Sequence, residues 1–239
     1  MMKKTIAVLA VFLGLAAVAT AAPTETKAKP DKSKWETLFA GDLSDAVFPK
    51  GVWSVKDGVL TATKDECIWS KKQYENFTID LEFKTATNSN SGILVYCTNT
   101  KDWYSNSIEV QILDDFGSEA ANIPPTWKCA GIFGRLAPKK SMVKKPGQWN
   151  HITVVCNGKH ISVTLNGETV TKMDMSKWTS GKKNPDGSDI PPWESKPAAE
   201  MTTKGRVGLQ GKHAGVPTYF RNIKIKKNPT PEKTPEKKS

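Results

Sequence analysis

In the run Ser107-Ile108-Glu109-Val110-Gln111-Ile112-Leu113-Asp114-Asp115, a carboxyl and an amide alternate with three aliphatic residues. Successive side chains of an extended strand point to opposite faces. Burying Ile108, Val110 and Ile112 therefore sends Glu109 and Gln111 together to the other face. A carboxyl gives or takes a proton while a neighbouring amide fixes a hydroxyl, a division of labour that suits sugar chemistry. Alternation alone is equally satisfied by a polar strand face washed by water. A second proton-transfer group is His213 in Gly211-Lys212-His213-Ala214-Gly215, because imidazole titrates near neutrality. His151, at a strand start, and His160, in a turn, read as surface groups.

Tryptophan supplies the other signal for sugars, since its flat apolar face stacks on the C–H face of a pyranose. Trp53 and Trp149 sit in apolar strands and are expected to fill the core. Trp103, Trp127, Trp178 and Trp193 lie in polar or proline-rich surroundings and suit a groove. Arg221 stands two and four positions before Ile223 and Ile225, so alternation places it on their inward side, at the rim of the core. Asp114-Asp115 lacks the spacing of a calcium loop. The four cysteines, Cys67, Cys97, Cys129 and Cys156, are widely spaced without a CxxC pair, which argues against zinc and leaves disulfides and buried thiols both open. No metal and no cofactor are expected.

These groups must be positioned by strands. Val52-Trp53-Ser54-Val55 and Val59-Leu60-Thr61-Ala62 flank Asp57-Gly58, a hairpin signal. Residues 77–83 alternate strictly, and further strands are expected at 93–97, 107–113, 151–156, 161–165, 206–210 and 219–225. Asn157-Gly158 and Asn166-Gly167 mark additional turns. No stretch of ten or more residues keeps a helical period. The fold expected is all-β, a two-sheet antiparallel jelly-roll β-sandwich. Residues 176–200 interrupt the pattern with four prolines together with Trp178 and Trp193, a length typical of functional loops.

Composition bounds the remaining possibilities. The net charge of +11 draws on Lys3 and Lys4 and on six lysines after residue 223. The central region has no basic stripe interleaved with aromatics, so nucleic acid is not an expected partner. Residues 1–22 read as a signal peptide: two lysines, an apolar run from Ile6 to Ala19, and Ala19-Thr20-Ala21 as the cleavage site. That run is shorter than the roughly 20 residues that cross a bilayer, so no integral membrane segment is expected after cleavage. Residues 23–33 read as a polar linker, 34–225 as one folded domain, and 226–239, with repeated Thr-Pro-Glu-Lys, as a disordered tail. Export to a bacterial periplasm or beyond is the expected destination.

An ordered set of motifs carries a resemblance. Asn90-Ser91-Gly92-Ile93, Glu109-Val110-Gln111-Ile112-Leu113-Asp114, Gly147-Gln148-Trp149-Asn150, Leu165-Asn166-Gly167, Gly208-Leu209-Gln210-Gly211-Lys212-His213 and Phe220-Arg221-Asn222-Ile223 occur in this order after an opening Trp35-Glu36-Thr37-Leu38-Phe39-Ala40-Gly41-Asp42-Leu43. The chain resembles the 3-keto-disaccharide hydrolase domain family, which implies a concanavalin A-like jelly roll and a carbohydrate substrate. The activity implied is cleavage of a 3-oxidised glycoside: removal of the acidified C2 hydrogen, expulsion of the C1 substituent, and addition of water. In that scheme Glu109 is the first candidate for the base and His213 the second, as base or leaving-group acid. Asn90, Gln111 and Lys212 would stabilise the enolate oxygen or hold hydroxyls, with Arg221, Trp178 and Trp193 as further contacts. Tyr96 stands where relatives carry a basic residue and would stack on sugar instead. Phe133 stands where they carry a tyrosine. The rival readings are a non-catalytic, lectin-like module of the cell envelope, or an envelope or matrix interaction protein acting through its lysine-rich tail.

Overall fold

The computed structural model describes residues 34–229. The expected signal peptide and linker, and most of the expected tail, lie outside them. Fourteen strands are formed in this region: β1 (Glu36–Thr37), β2 (Ala46–Val47), β3 (Trp53–Lys56), β4 (Val59–Ala62), β5 (Ile68–Ser70), β6 (Tyr74–Glu75), β7 (Phe77–Thr85), β8 (Asn90–Cys97), β9 (Ile108–Leu113), β10 (Trp149–Asn157), β11 (His160–Leu165), β12 (Glu168–Asp174), β13 (Lys204–Leu209) and β14 (Thr218–Lys227). All pairs are antiparallel. One sheet runs β12-β11-β10-β7-β14-β4-β3 with β1 beside β14. The other runs β2-β5-β13-β8-β9 with β6 beside β13. The jelly-roll sandwich expected from the alternating strands is the architecture observed.

Local chemistry explains the hairpins. Asp57 and Gly58 take φ of 52° and 73° between β3 and β4, and Asn166 and Gly167 take 51° and 87° between β11 and β12, as a two-residue turn requires. Between the sheets, Phe77, Ile79, Leu81 and Phe83 of β7 meet Ile93 and Val95 of β8 and Ile108, Val110 and Ile112 of β9 in one apolar core. Full burial of each such side chain stabilises the fold by about 1.5–3 kcal/mol. At the C-terminal end, β14 runs past the expected boundary: Lys226 and Lys227 pair with Thr78 and Phe77.

Two strands break their own alternation, and both breaks move an expected site residue. In β8, Tyr96 adopts φ of 60°, and the register against β13 shifts there. The extra residue turns Tyr96 inward. Its ring is fully buried 5.7 Å from that of Phe77, and its hydroxyl donates to Gly158 O at 2.8 Å. It is a core residue that no sugar reaches. In β14, Asn222 adopts φ of 53° within a second register shift, so Arg221 faces opposite to Ile223 and lies on the outer side of the eight-stranded sheet.

All four cysteines are free and buried. Among the described residues, no helix is long and apolar enough to cross a membrane, and no group of three or more His, Cys, Asp or Glu side chains is placed to hold a metal. Asp114 accepts from the N–H groups of Asn88 and Phe116, and Asp115 from Cys129 N–H and the Ser141 hydroxyl, so both carboxyls hold loops.

Candidate active site

Glu109 and Gln111 project from β9 on the outer face of the six-stranded sheet, as their alternation requires. They are not washed by solvent: Glu109 is 7% and Gln111 2% exposed. The segment after Trp127 covers that edge of the sheet. Phe133 N–H donates to Glu109 O, Gln111 N–H to Gly131 O, and Ala130 N–H to Gln111 O. This added ribbon carries Phe133 to the site.

Together these residues line a cavity of about 370 Å³ with Asn90, Trp103, Tyr104, Trp127, Trp193, Gln210 and His213. Two aromatic groups form its walls. Trp103 and Tyr104 stack at 3.8 Å on one side. On the other, Trp127 lies 4.9 Å from Phe133 and 6.3 Å from Trp193. The Ser105 hydroxyl donates to Trp193 O at 3.0 Å and joins the two walls. Beside the carboxyl lies a small apolar cluster of Cys67, Trp69, Leu94 and Cys97, against which Trp103 packs.

The long segment 176–200 is held in place by buried polar contacts. Arg135 pairs with Glu194 at 3.1 Å and also donates to Glu194 O and Lys196 O, fixing the turn that presents Trp193. Burial outweighs the ion pair on both partners: it pushes Glu194 up to about 7 and lowers Arg135. Trp178, from the same segment, points elsewhere. It is buried, and its indole N–H donates to Asn184 Oδ1 at 2.9 Å, so it pins the loop and does not wall the site.

Electrostatics separates the two proton-transfer candidates. Burial, with the carboxylates of Glu194 and Asp65 adding to it, pushes Glu109 well above the ordinary carboxyl range. Its surroundings thus favour the protonated form of the side chain. His213 is half-exposed, and its Nδ1 lies 2.8 Å from Asp65 Oδ2, which leaves Nε2 as the ring nitrogen Asp65 does not engage. Gly211 lets the 64–66 turn approach: a Cβ at 211 would stand 2.4 Å from Lys64 O. Burial, with Asp65, Cys67 and Glu109, raises the Tyr104 phenol, so it is a neutral donor at the rim.

The seven binding residues expected from the sequence thus fall in two groups. Asn90, Gln111 and Trp193 share the cavity with Glu109 and His213; Tyr96, Trp178 and Arg221 do not. Lys212 also lies outside the lining, its backbone N–H donating to Lys64 O. Arg221 grips Glu82 with two 3.0 Å bonds and covers Trp149 at 4.0 Å, which makes Trp149 a half-buried outer residue of the eight-stranded sheet and not a core filler. A larger hollow of about 700 Å³ occurs there, but its charges are matched to one another: His151 and Lys224 meet Asp80 at 2.8 and 3.2 Å. Nothing in the spacing of Asp65, Tyr104 or Gln210 marks them; only the Gln210–His213 interval hints that one turn serves both.

Comparison with known proteins fits this geometry. The model of the 3-keto-alpha-glucoside-1,2-lyase-like domain matches residues 31–226. A candidate glycosyl hydrolase of Parabacteroides distasonis, solved at 2.00 Å, is 56% identical with a TM-score of 0.80, covering 82% of this chain and all of that one. A second candidate glycosyl hydrolase of that organism is 25% identical, TM-score 0.66, covering 82% and 94%. Carbohydrate-binding module CBM66 of Bacillus subtilis shares the fold at 11% identity and TM-score 0.50, covering 79% and 99%. No curated protein is matched.

Proposed function

The chain belongs to the family of 3-keto-alpha-glucoside-1,2-lyase-like domains, and on that premise we propose that it is an exported enzyme cleaving 3-oxidised glycosides by elimination and hydration. A ketone at C3 acidifies the C2 hydrogen. A base removes that proton, the electron pair forms the C1–C2 double bond, and the C1–O bond breaks. The departing oxygen takes a proton, and water then adds across C1–C2 to give the free 3-keto sugar. Export is supported by the pattern of residues 1–22.

The observation that carries the reading is one cavity holding a buried carboxyl, whose protonated form that burial favours, and an imidazole backed by a carboxylate. This favours Glu109 as the acid toward the leaving oxygen and His213 as the base at C2, with Asp65 orienting the ring. Gln111, Asn90 and Gln210 are placed to hold hydroxyls, and Trp103, Trp127 and Trp193 to stack on the ring.

The test is incubation of residues 23–239 with 3-keto-glycosides, deuterated at C2, and with their unoxidised parents. Release of the leaving sugar from the 3-keto compounds alone, with loss of deuterium to water, is the expected result. Release with deuterium retained would replace elimination by direct displacement. Binding without turnover across the panel would favour the second reading, a carbohydrate-binding module, which the three tryptophans of the cavity would also serve.

A further inference from the structure

Elimination from a 3-keto ring loads negative charge onto one atom before the leaving group departs. As the base takes the C2 hydrogen, the electron pair moves through a new C2–C3 double bond onto the C3 oxygen, giving an enolate. The pair then returns: the C3 carbonyl reforms, C1 and C2 become doubly bonded, and the C1–O bond breaks. A donor fixed at that oxygen in advance lowers the barrier. Lys212, to which the resemblance gives this role, stands outside the lining, and among the described residues no Lys or Arg lines the cavity. Asn90, Gln111 and Gln210 offer amides, and Tyr104 offers the one hydroxyl of the lining. A phenol, with its ordinary pKa of about 10, is a more acidic donor than an amide.

Three observations single out Tyr104. Its hydroxyl is bonded by none of the described residues, and the residue is 39% exposed where it lines the cavity, so the donor is open to a ligand. The ring is held before any ligand arrives: it stacks at 3.8 Å on Trp103, which packs against the cluster of Cys67, Trp69, Leu94 and Cys97. Its loop is tied on both sides, by Asn106 N–H and the Ser107 hydroxyl donating to Trp103 O and by the Ser105 hydroxyl donating to Trp193 O. Asp65, finally, lies beside both groups: it engages His213 Nδ1 at 2.8 Å, and after burial it is the first of the charges that raise the phenol. Phenol and imidazole thus have a carboxylate neighbour in common. C2 and C3 are bonded to each other, so a donor for the C3 oxygen has to stand beside the base at C2.

We propose that Tyr104 is a catalytic residue whose hydroxyl donates to the C3 oxygen and holds the enolate while His213 carries the C2 proton. The proposal rests on the enzymatic reading above and adds a third group to it. Glu109 then serves the oxygen on C1, His213 the hydrogen on C2 and Tyr104 the oxygen on C3, three consecutive carbons of one ring. The phenol lends a hydrogen bond and keeps its proton, so the step balances without it: the C2 proton goes to imidazole, and the leaving oxygen receives one from Glu109. A neutral phenol aimed at an enolate oxygen is an effective device for such a step.

The experiment isolates enolate formation from bond cleavage. The probe is 3-keto-1,5-anhydroglucitol, a 3-keto ring with hydrogen in place of the C1 substituent, and exchange of its C2 hydrogen in deuterium oxide is followed by NMR. Tyr104→Phe keeps the ring and its stack on Trp103 and removes only the hydroxyl, so its melting temperature should match that of the wild type. Its exchange rate on the probe, and its kcat on a 3-keto-glycoside, should both fall by about 10²–10³-fold with KM nearly unchanged. Exchange within about threefold of the wild-type rate overturns the assignment even where cleavage falls, and so does a loss confined to KM. A wild-type protein that exchanges the probe without cleaving any glycoside has failed as a hydrolase, and the same comparison of exchange rates still decides Tyr104. A wild-type protein that does neither sinks the enzymatic reading, and the role of Tyr104 with it.

Discussion

Gly92 of β8 lies against the Glu109 side chain of β9 so closely that a Cβ at position 92 would stand 2.0 Å from Oε1 and 2.8 Å from Cγ. The glycine of the Asn-Ser-Gly-Ile motif is therefore a cradle for the carboxyl, and its role is to leave space. Gly92→Ala should displace Glu109 toward the cavity while the sheet survives, because the clash is with a side chain that can rotate. Turnover should fall by about 10²-fold or more, the range over which positioned proton transfer contributes. Steady-state kinetics with a melting curve for the same sample checks both halves.

Glu109→Gln removes the proton and keeps the shape. Turnover should fall by about 10²–10⁴-fold while sugar affinity, read by calorimetry, changes little. A stability effect accompanies it. A carboxyl whose folded pKa is raised binds its proton in the fold and releases it on unfolding, so its contribution to stability fades as pH climbs above the ordinary 4.5. The variant should show a flatter decline of unfolding free energy with pH, and at pH 8 it should be the more stable protein.

Asp65→Asn keeps a group near His213 Nδ1 but removes the charge that supports imidazolium. The expected result is a fall in kcat with KM nearly unchanged, partly restored in Asp65→Glu, which keeps the charge. A KM that rises along with the fall in kcat, or no recovery in Asp65→Glu, would reduce Asp65 to a structural contact.

Arg135→Met leaves Glu194 in a buried position without its cation. Breaking such a pair costs about 3–5 kcal/mol when the remaining charge cannot neutralise. Glu194, already pushed up to about 7, can hold a proton instead. The loss of melting temperature should thus be small at pH 5.5 and large at pH 8, and KM should rise as the turn bearing Trp193 loosens.

These same residues show how far the fold and the site were legible in the sequence. Alternation in β9 placed Glu109 and Gln111 on a common outer face, because nothing interrupts that strand. The same rule misplaced Arg221, and the resemblance misplaced Tyr96, since a single left-handed residue in each of β8 and β14 inserts an extra position and reverses the facing of the side chains around it. Tyr96 does not announce such a bulge by type, and Asn222, of a type that tolerates the left-handed region, marks only that one could form. Trp178 and Trp193 share a proline-rich segment, and only tertiary contacts decide that one pins it and the other lines the cavity. The Asp65–His213 contact spans 148 residues and leaves no trace in local spacing.

The buried carboxyl and the aromatic walls belong to different parts of the chain. Glu109 and Gln111 rise from a strand fixed between neighbours, whereas Trp103, Trp127 and Trp193 hang from three connections outside the sheets. Evolution can therefore rewrite those connections, and with them the aromatic lining of the cavity, while Glu109 and Gln111 keep the places their strand gives them.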